Sequence, residues 1–207
     1  MRMSNISNSK KAAARDDDLQ YVILCQKGKT DAFEVLVERH QKKMLNIAYR
    51  MMGDYNDACD VTQEAFIAAY KSIKKFKAEA KFSTWLYRIV VNLAKNRLKQ
   101  LSGRKRREGP LDDQAGNNNE EISGQSFIGE SDPGVQLENR EREFNVQKCI
   151  TSLDEEYREV LVLRDIQGFS YEEIQDMLKI PDGTVKSRLA RARNALKDCL
   201  SKVIGDL

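Results

Sequence analysis

Between Gly103 and Gly134 the chain has no apolar period, and this stretch limits what can fold on either side of it. It holds six of the eleven glycines, two of the three prolines and the run Asn117, Asn118, Asn119. A segment with so little to bury reads as a linker, flexible or laid loosely on a surface. The 207 residues are thereby divided into two pieces, of about 85 and about 65 residues, each in the usual range for a small domain. Ala, Leu, Glu, Lys and Arg are frequent in both, a mix that favours helices. The expected fold is all-α: a helical domain over 18–102, an acidic Gly/Asn-rich linker over 103–140 and a second helical domain over 141–207. Met1 to Arg15 is charged without an apolar core, so it reads as a disordered tail (1–17) and not as a signal peptide. No apolar run is long enough to cross a membrane, and insertion into one is not expected.

The apolar spacing predicts four helices in the first domain. One runs from about Asp17 to Lys27, closed by Gly28. The next follows Thr30, a good N-cap, with Phe33, Leu36, Val37, Met44, Ile47, Ala48 and Met51 on one face, and ends at Gly53. A third spans Tyr55 to Lys75 with Ala58, Val61, Ala65, Ala68 and Ala69 inward. After an interruption from Phe76 to Phe82, a fourth starts at Ser83, another N-cap candidate, and turns Leu86, Ile89, Val90 and Leu93 inward. The second domain reads as a helix through Phe144 and Ile150, then one from Asp154 to Gln167. Ser170 and Glu173 form a capping box for a short helix, Tyr171 to Leu178, and a last helix runs from Thr184 to Val203.

Charge is segregated along the chain. Lys81 to Arg107 carries nine Lys or Arg and no acid, Glu108 to Glu143 carries ten acids, and Gly183 to Lys202 is basic again. Basic blocks suit a polyanion, nucleic acid above all, although solvated helix faces give the same pattern. At the C-terminal end a short helix, a turn and a basic helix make a helix-turn-helix, whose second helix offers its N-terminal part to the major groove. Thr184, Lys186, Ser187, Arg188, Arg191 and Arg193 are its candidate duplex-DNA residues, with backbone amides near Gly183 and Thr184 as a phosphate grip. Arg88, Asn92, Lys95, Asn96 and Lys99 recur at helical spacing on the fourth helix, and Arg104 to Arg107 extend them. Phe76, Lys77, Phe82, Trp85 and Tyr87 lie close by. Rings beside cations suit single-stranded DNA, though such rings are as readily core.

Asp57, Asp60, Gln63 and Glu64 share a helix face that reads as a partner surface or a plain solvated one. Asp54, Asp57 and Asp60 lack the loop spacing of a calcium site. Cys25, Cys59, Cys149 and Cys199 are scattered, away from the only histidine, His40, and read as small buried hydrophobes in a reducing cytoplasm. No metal, cofactor, catalytic residue or small-molecule substrate is expected. A nuclease or phosphotransferase would want a carboxylate cluster or a glycine cradle that the sequence lacks.

Two long motif blocks carry a family resemblance. Asp60-Val-Thr-Gln-Glu-Ala-Phe-Ile-Ala-Ala-Tyr70 and Phe82-Ser-Thr-Trp-Leu-Tyr-Arg-Ile-Val-Val-Asn-Leu-Ala-Lys-Asn96 resemble region 2 of the extracytoplasmic-function RNA polymerase sigma factors, in the sigma-70 family. Phe169-Ser-Tyr-Glu-Glu-Ile and Pro181-Asp-Gly-Thr-Val-Lys-Ser-Arg-Leu-Ala-Arg-Ala-Arg193 resemble their region 4. The likeness covers roughly 18–102 and 141–203. It implies a four-helix region 2-like domain and a region 4-like helix-turn-helix domain. By the same resemblance, Asp57, Asp60, Gln63 and Glu64 would dock on the clamp of core RNA polymerase. Phe76 to Phe82 would capture a flipped base of the −10 element, and Trp85, Arg88, Asn92, Lys95 and Asn96 would hold the melted strand. Lys186, Ser187, Arg188, Arg191 and Arg193 would read the −35 duplex, with region 4 on the polymerase flap and the linker in the polymerase channel. The chain departs from many relatives at Leu153-Asp154, where they have Leu-Pro, and at Ala190, often bulkier.

The expected function is therefore promoter recognition and opening with core polymerase, in a stress or envelope response, under an anti-sigma factor that holds the protein in the cytoplasm or at the membrane. The chain is not expected to be an enzyme. A conventional helix-turn-helix regulator is the alternative. It would account for the C-terminal domain but leave the aromatic segment, the acidic face and the linker without a role.

Overall fold

The computed structural model describes residues 17–108 and 133–204; most of the expected tail and of the expected linker lie outside the described residues. Its elements are α1 (Leu19–Gln26), α2 (Asp31–Met52), α3 (Tyr55–Ser72) with a 3₁₀ turn (Ile73–Lys75), and α4 (Phe82–Glu108). They continue with α5 (Pro133–Ser152), α6 (Glu155–Leu161) running into a π-helical segment (Val162–Ile166), α7 (Tyr171–Leu178) and α8 (Asp182–Ile204). The fold is all-α, as expected.

The punctuation follows local chemistry. Gly53 closes α2 at φ +79° and donates its N–H to the Tyr49 carbonyl, and Asp54 then caps α3 by accepting from the Asp57 N–H at 2.8 Å. Ser170 and Glu173 form both halves of the predicted capping box. Other caps differ from expectation. Thr30 makes no side-chain capping bond and its backbone is already helical, because its hydroxyl turns to Asp31 instead. Ser83 lies inside α4, which begins at Phe82. Asp154 stands at the N-cap of α6 but its side chain makes no capping bond; only its carbonyl accepts, from the Tyr157 and Arg158 amides.

The ends of the expected linker are also helical. Residues 103–108 continue α4, and 133–140 open α5. Pro133 suits the first position of a helix, where its missing N–H costs nothing, and long cationic side chains prolong α4 without loss of propensity.

Leu36, Met44, Ile47 and Met51 of α2, Ala58 and Ala65 of α3, and Phe82, Leu86 and Val90 of α4 are fully buried together. The alanines of α3 let its backbone approach its neighbours closely; Ala68, expected inward, is only half-buried. Leu161, Leu163, Ile174, Val185 and Leu189 fill the C-terminal half. The buried apolar cluster runs unbroken from one half to the other.

Two of the four cysteines are not isolated hydrophobes. Cys149 of α5 and Cys199 of α8 form a disulfide, with Cα atoms 5.7 Å apart, while Cys25 is buried and Cys59 half-buried as free thiols. Their separation of 50 residues hid the pairing, since only the packing of α5 against α8 brings them together. A loop of that length corresponds to a stabilisation of up to about 4 kcal/mol in the chain-entropy picture. Without reductant, Cys199→Ser should melt several degrees below the wild type; in excess dithiothreitol the two calorimetric midpoints should coincide.

Candidate nucleic-acid interface

Helix α4 has two working faces. Phe82, Leu86, Val90 and Ala94 enter the core, while Asn92, Asn96 and Lys99 are exposed. Arg88 and Lys95, between these faces, are half-buried and turned toward the C-terminal half. Leu93 and Ile89, expected inward, sit at the margin of the core.

The aromatic residues form a closed group. Phe76 lies 6.1 Å from Phe82 and 5.1 Å from Trp85, centroid to centroid, and Phe82 lies 5.8 Å from Trp85. Phe76 and Phe82 are buried, so their rings are not stacking platforms in this conformation: each satisfies its apolar area against the other and against the core. Trp85 is half-buried at the edge of the group. Residues 77–81, including Lys77, arch between Phe76 and Phe82 in sequence and are exposed, with Ala78 in the left-handed region at φ +55°. Gln26 of α1 anchors the start of this arch by donating from Nε2 to the carbonyls of Ile73 (3.0 Å) and Phe76 (2.9 Å). Sequence reasoning missed Gln26, because a polar residue near a helix end carries no sign of a partner some fifty positions away.

Helix α8 presents Lys186, Ser187, Ala190, Arg191 and Arg193 to solvent, with Thr184 and Arg188 half-buried. Most of its cations rest on neighbouring oxygens. Lys186 meets Asp182 at 2.6 Å and lies over the Tyr171 ring, Arg188 meets Glu156 at 2.7 Å, and Arg193 holds Asp165 through two bonds of 2.6 and 2.8 Å. Arg191 reaches the Tyr157 hydroxyl at 3.4 Å. The hydrogen bonds that Lys186 and Arg193 donate to Asp182 and Asp165 raise the pKa of both cations. The Ser187 hydroxyl donates to the Thr184 carbonyl, and the Thr184 and Val185 amides donate to the Pro181 carbonyl. The expected phosphate grip therefore loses the Thr184 amide to the turn itself.

On α3, Asp57 and Asp60 hold Arg97 of α4 at 3.0 and 3.2 Å. Gln63 and Glu64 are exposed, and Ile67 and Tyr70 beside them are large exposed apolar residues. A mixed acidic and apolar strip suits a protein partner better than a plain solvated face does.

The C-terminal half packs on this assembly along a seam that the sequence did not reveal. Tyr87 of α4 and Phe169 meet edge to face at 4.6 Å, and burial pushes the Tyr87 hydroxyl up to about 12. Lys95 reaches both carboxylate oxygens of Glu159 at 3.1 and 3.2 Å, and Arg88 donates to the Asp176 carbonyl. Arg50 donates to the Gln147 side chain, Gln147 to the Tyr49 carbonyl and Arg158 to the Met51 carbonyl. Gly53 lies so close to Thr151 that a β-carbon there would stand 2.7 Å from its methyl group.

Comparison with known proteins bears on the whole arrangement. Residues 36–104 match the family described as Sigma-70 region 2, and residues 143–196 that described as Sigma-70, region 4. The RNA polymerase sigma-H factor of Pseudomonas aeruginosa is 37% identical over 191 residues, covering 92% of this chain and 97% of that protein. The ECF RNA polymerase sigma-E factor of Escherichia coli is 39% identical over 179 residues, covering 86% and 92%. Among solved structures, the sigma factor RpoE in complex with the anti-sigma factor NepR, from Bartonella quintana, shares the fold with a TM-score of 0.63. It is 20% identical and covers 82% of this chain and 96% of that one.

Glu159 is the acid that the seam costs most to bury. It is 2% exposed, and desolvation raises its pKa above the ordinary 4.5 against the opposing attraction of Lys95. A carboxyl raised in the folded state contributes stability below its ordinary pKa and loses it as pH rises through the raised value. Glu159→Gln has no charge to bury. Its melting temperature should therefore gain on the wild type as pH is raised from about 4 to about 7. A variant that instead loses ground to the wild type as pH rises would mean that the Lys95 attraction outweighs burial.

Proposed function

The chain belongs to the sigma-70 family as a sigma factor of the extracytoplasmic-function type, which directs core RNA polymerase to promoters and starts transcription there, and we propose how its residues divide that work. Residues 18–102 act as region 2 and 141–207 as region 4. Asp57, Asp60, Gln63 and Glu64, with Ile67 and Tyr70, dock on the polymerase clamp. Helix α8 enters the −35 major groove, where Lys186, Arg188, Arg191 and Arg193 exchange carboxylates and hydroxyls for phosphates and guanine edges. Thr184 and Ser187 add hydrogen bonds at the same end, and region 4 rests on the polymerase flap.

Asn92, Asn96, Lys95 and Arg88 hold the melted −10 strand. The loop from Lys77 to Lys81 receives a flipped base with Trp85 as its wall, and Phe76 and Phe82 support it from within the core. The observation that carries this division is the pair of cationic helix faces, one beside an aromatic group and one in a helix-turn-helix. A conventional regulator would use only the second. The chain itself catalyses nothing on this reading; stacking and polymerase contacts drive strand opening.

The Bartonella neighbour is bound to an anti-sigma factor, and a similar partner controls this chain in the cytoplasm or at a membrane, in a stress response. None of the described helices is long and apolar enough to cross a membrane, so membrane placement falls to the partner.

The test is run-off transcription with core polymerase on genomic fragments. The purified chain should direct initiation at discrete promoters, and failure on every fragment would refute the reading. Arg191→Ala should weaken −35 binding by about 1–3 kcal/mol. Asn92→Ala should leave initial duplex binding intact and reduce permanganate reactivity of the −10 thymines. Equal reactivity in that variant would remove Asn92 from the strand-holding set.

A further inference from the structure

One tether of the 77–81 loop comes from a distant part of the chain. Gln26, the last residue of α1, donates from Nε2 to the Ile73 carbonyl at 3.0 Å and to the Phe76 carbonyl at 2.9 Å. An amide nitrogen has two N–H groups, so each carbonyl takes one; turned over, the amide would set its own oxygen against both. We propose that Gln26 is a positioning residue for base selection: its amide fixes the path on which the chain enters the loop 77–81, and so which base of the −10 element that loop accepts. The proposal rests on the assignment of this loop to a flipped base.

The bond is not needed to make the turn. The Phe76 N–H closes it on the Ile73 carbonyl at 3.1 Å without help. What Gln26 adds is a hold on the Phe76 carbonyl, and with it on the peptide plane between Phe76 and Lys77, where the backbone leaves the turn at φ −69° and ψ 120°. Two residues on, Ala78 is left-handed at φ +55°, a conformation that an alanine holds only when its surroundings impose it. Residues 77–81 are all exposed, so side-chain burial does not shape them, and the two ends must. The far end is fixed by the Trp85 N–H on the Lys81 carbonyl at 3.1 Å, the near end by Gln26. Gln26 can serve as an anchor because Val22 and Cys25, on the same short helix, are buried. A pocket for an extruded base discriminates by shape and hydrogen-bond geometry, so a loop held on one path selects better than one that wanders.

The experiment uses the full chain with Gln26→Met and Gln26→Glu, which keep the length of the side chain and remove its donors. Gln20→Met, at an exposed position of α1, is the control. Without polymerase, acrylamide quenching of Trp85 reports the near end of the loop, since this single tryptophan lies 5.1 Å from the Phe76 ring. Quenching should rise in both Gln26 variants at unchanged helicity and stay level in Gln20→Met. With core polymerase, run-off yield is compared on promoters carrying each base in turn at each −10 position. The wild type should prefer one base at least about fivefold at the flipped position, the low end of what a base contact is worth, and both Gln26 variants should fall to within about twofold there while preferences elsewhere hold.

Unchanged quenching in either variant would show that the donors do not hold the loop, and would overturn the proposal. So would a loss of transcription that is equal on every template, the mark of a merely structural residue. A base preference that persists in Gln26→Glu would overturn it too, because the side chain would then only fill space. Should Gln26→Glu not fold, Gln26→Met carries the same readouts. Replacing residues 77–81 by glycine and serine decides the underlying assignment. The same preference should vanish; if it survives, the loop takes no base, and that assignment fails whatever Gln26 does.

Discussion

Everything in this molecule turns on α4 having to satisfy two surfaces at once. One side supplies Phe82, Leu86, Val90 and Ala94 to the core of the N-terminal half. The other carries cations and amides that an apolar neighbour could not accept. A helix with a polar outer face usually meets only water. Here part of that face meets α6, α7 and the turn before α7, which answer it with a carboxylate, a backbone carbonyl and the Phe169 ring. The continuity of the core across the two halves depends on this match, because Tyr87 would be an exposed ring without Phe169 above it.

What the sequence made legible was local. The order of the helices, the glycine stops at Gly28 and Gly53, and the capping box at Ser170 each depend on residues a few positions apart, and each is present. The basic face of α8 was equally readable, since Val185 and Leu189 fix which way the helix turns. Contacts between distant residues were not readable. Glu159 looked like one more acid in a charged helix, and nothing nearby marks it as the partner of Lys95. Cys149 and Cys199 lack the short spacing that announces a pair. Phe76 and Phe82 had two readings, ligand platform or core, and the closed ring group decides for core in this conformation. Thr30 and Ser83 are a milder case. Both are good capping residues by type, but the helices begin where the apolar pattern and the turn geometry place them.

The glycine at 53 shows how a local rule and a distant one converge. Its positive φ ends α2, which any sequence reading would expect. The same residue lets α5 approach until the Thr151 methyl group touches it. Alanine would thus be wrong twice, once for its own backbone and once for its neighbour, and only the first reason is visible without the fold.

The cations of the two proposed DNA faces are paired in different surroundings, and this sets the order in which they become available. Arg193 with Asp165, and Lys186 with Asp182, are largely solvent-facing pairs. Exposed pairs of this kind contribute about 0–1 kcal/mol each, so a phosphate can displace the acid at little cost. Lys95 is different: its partner Glu159 is almost wholly buried, and removing the lysine would strand that carboxylate in the interior. Freeing Lys95 therefore requires moving α6 as a whole, so that Glu159 regains water. The pairs on α8 are therefore open to exchange as they stand, while the Lys95 pair is not.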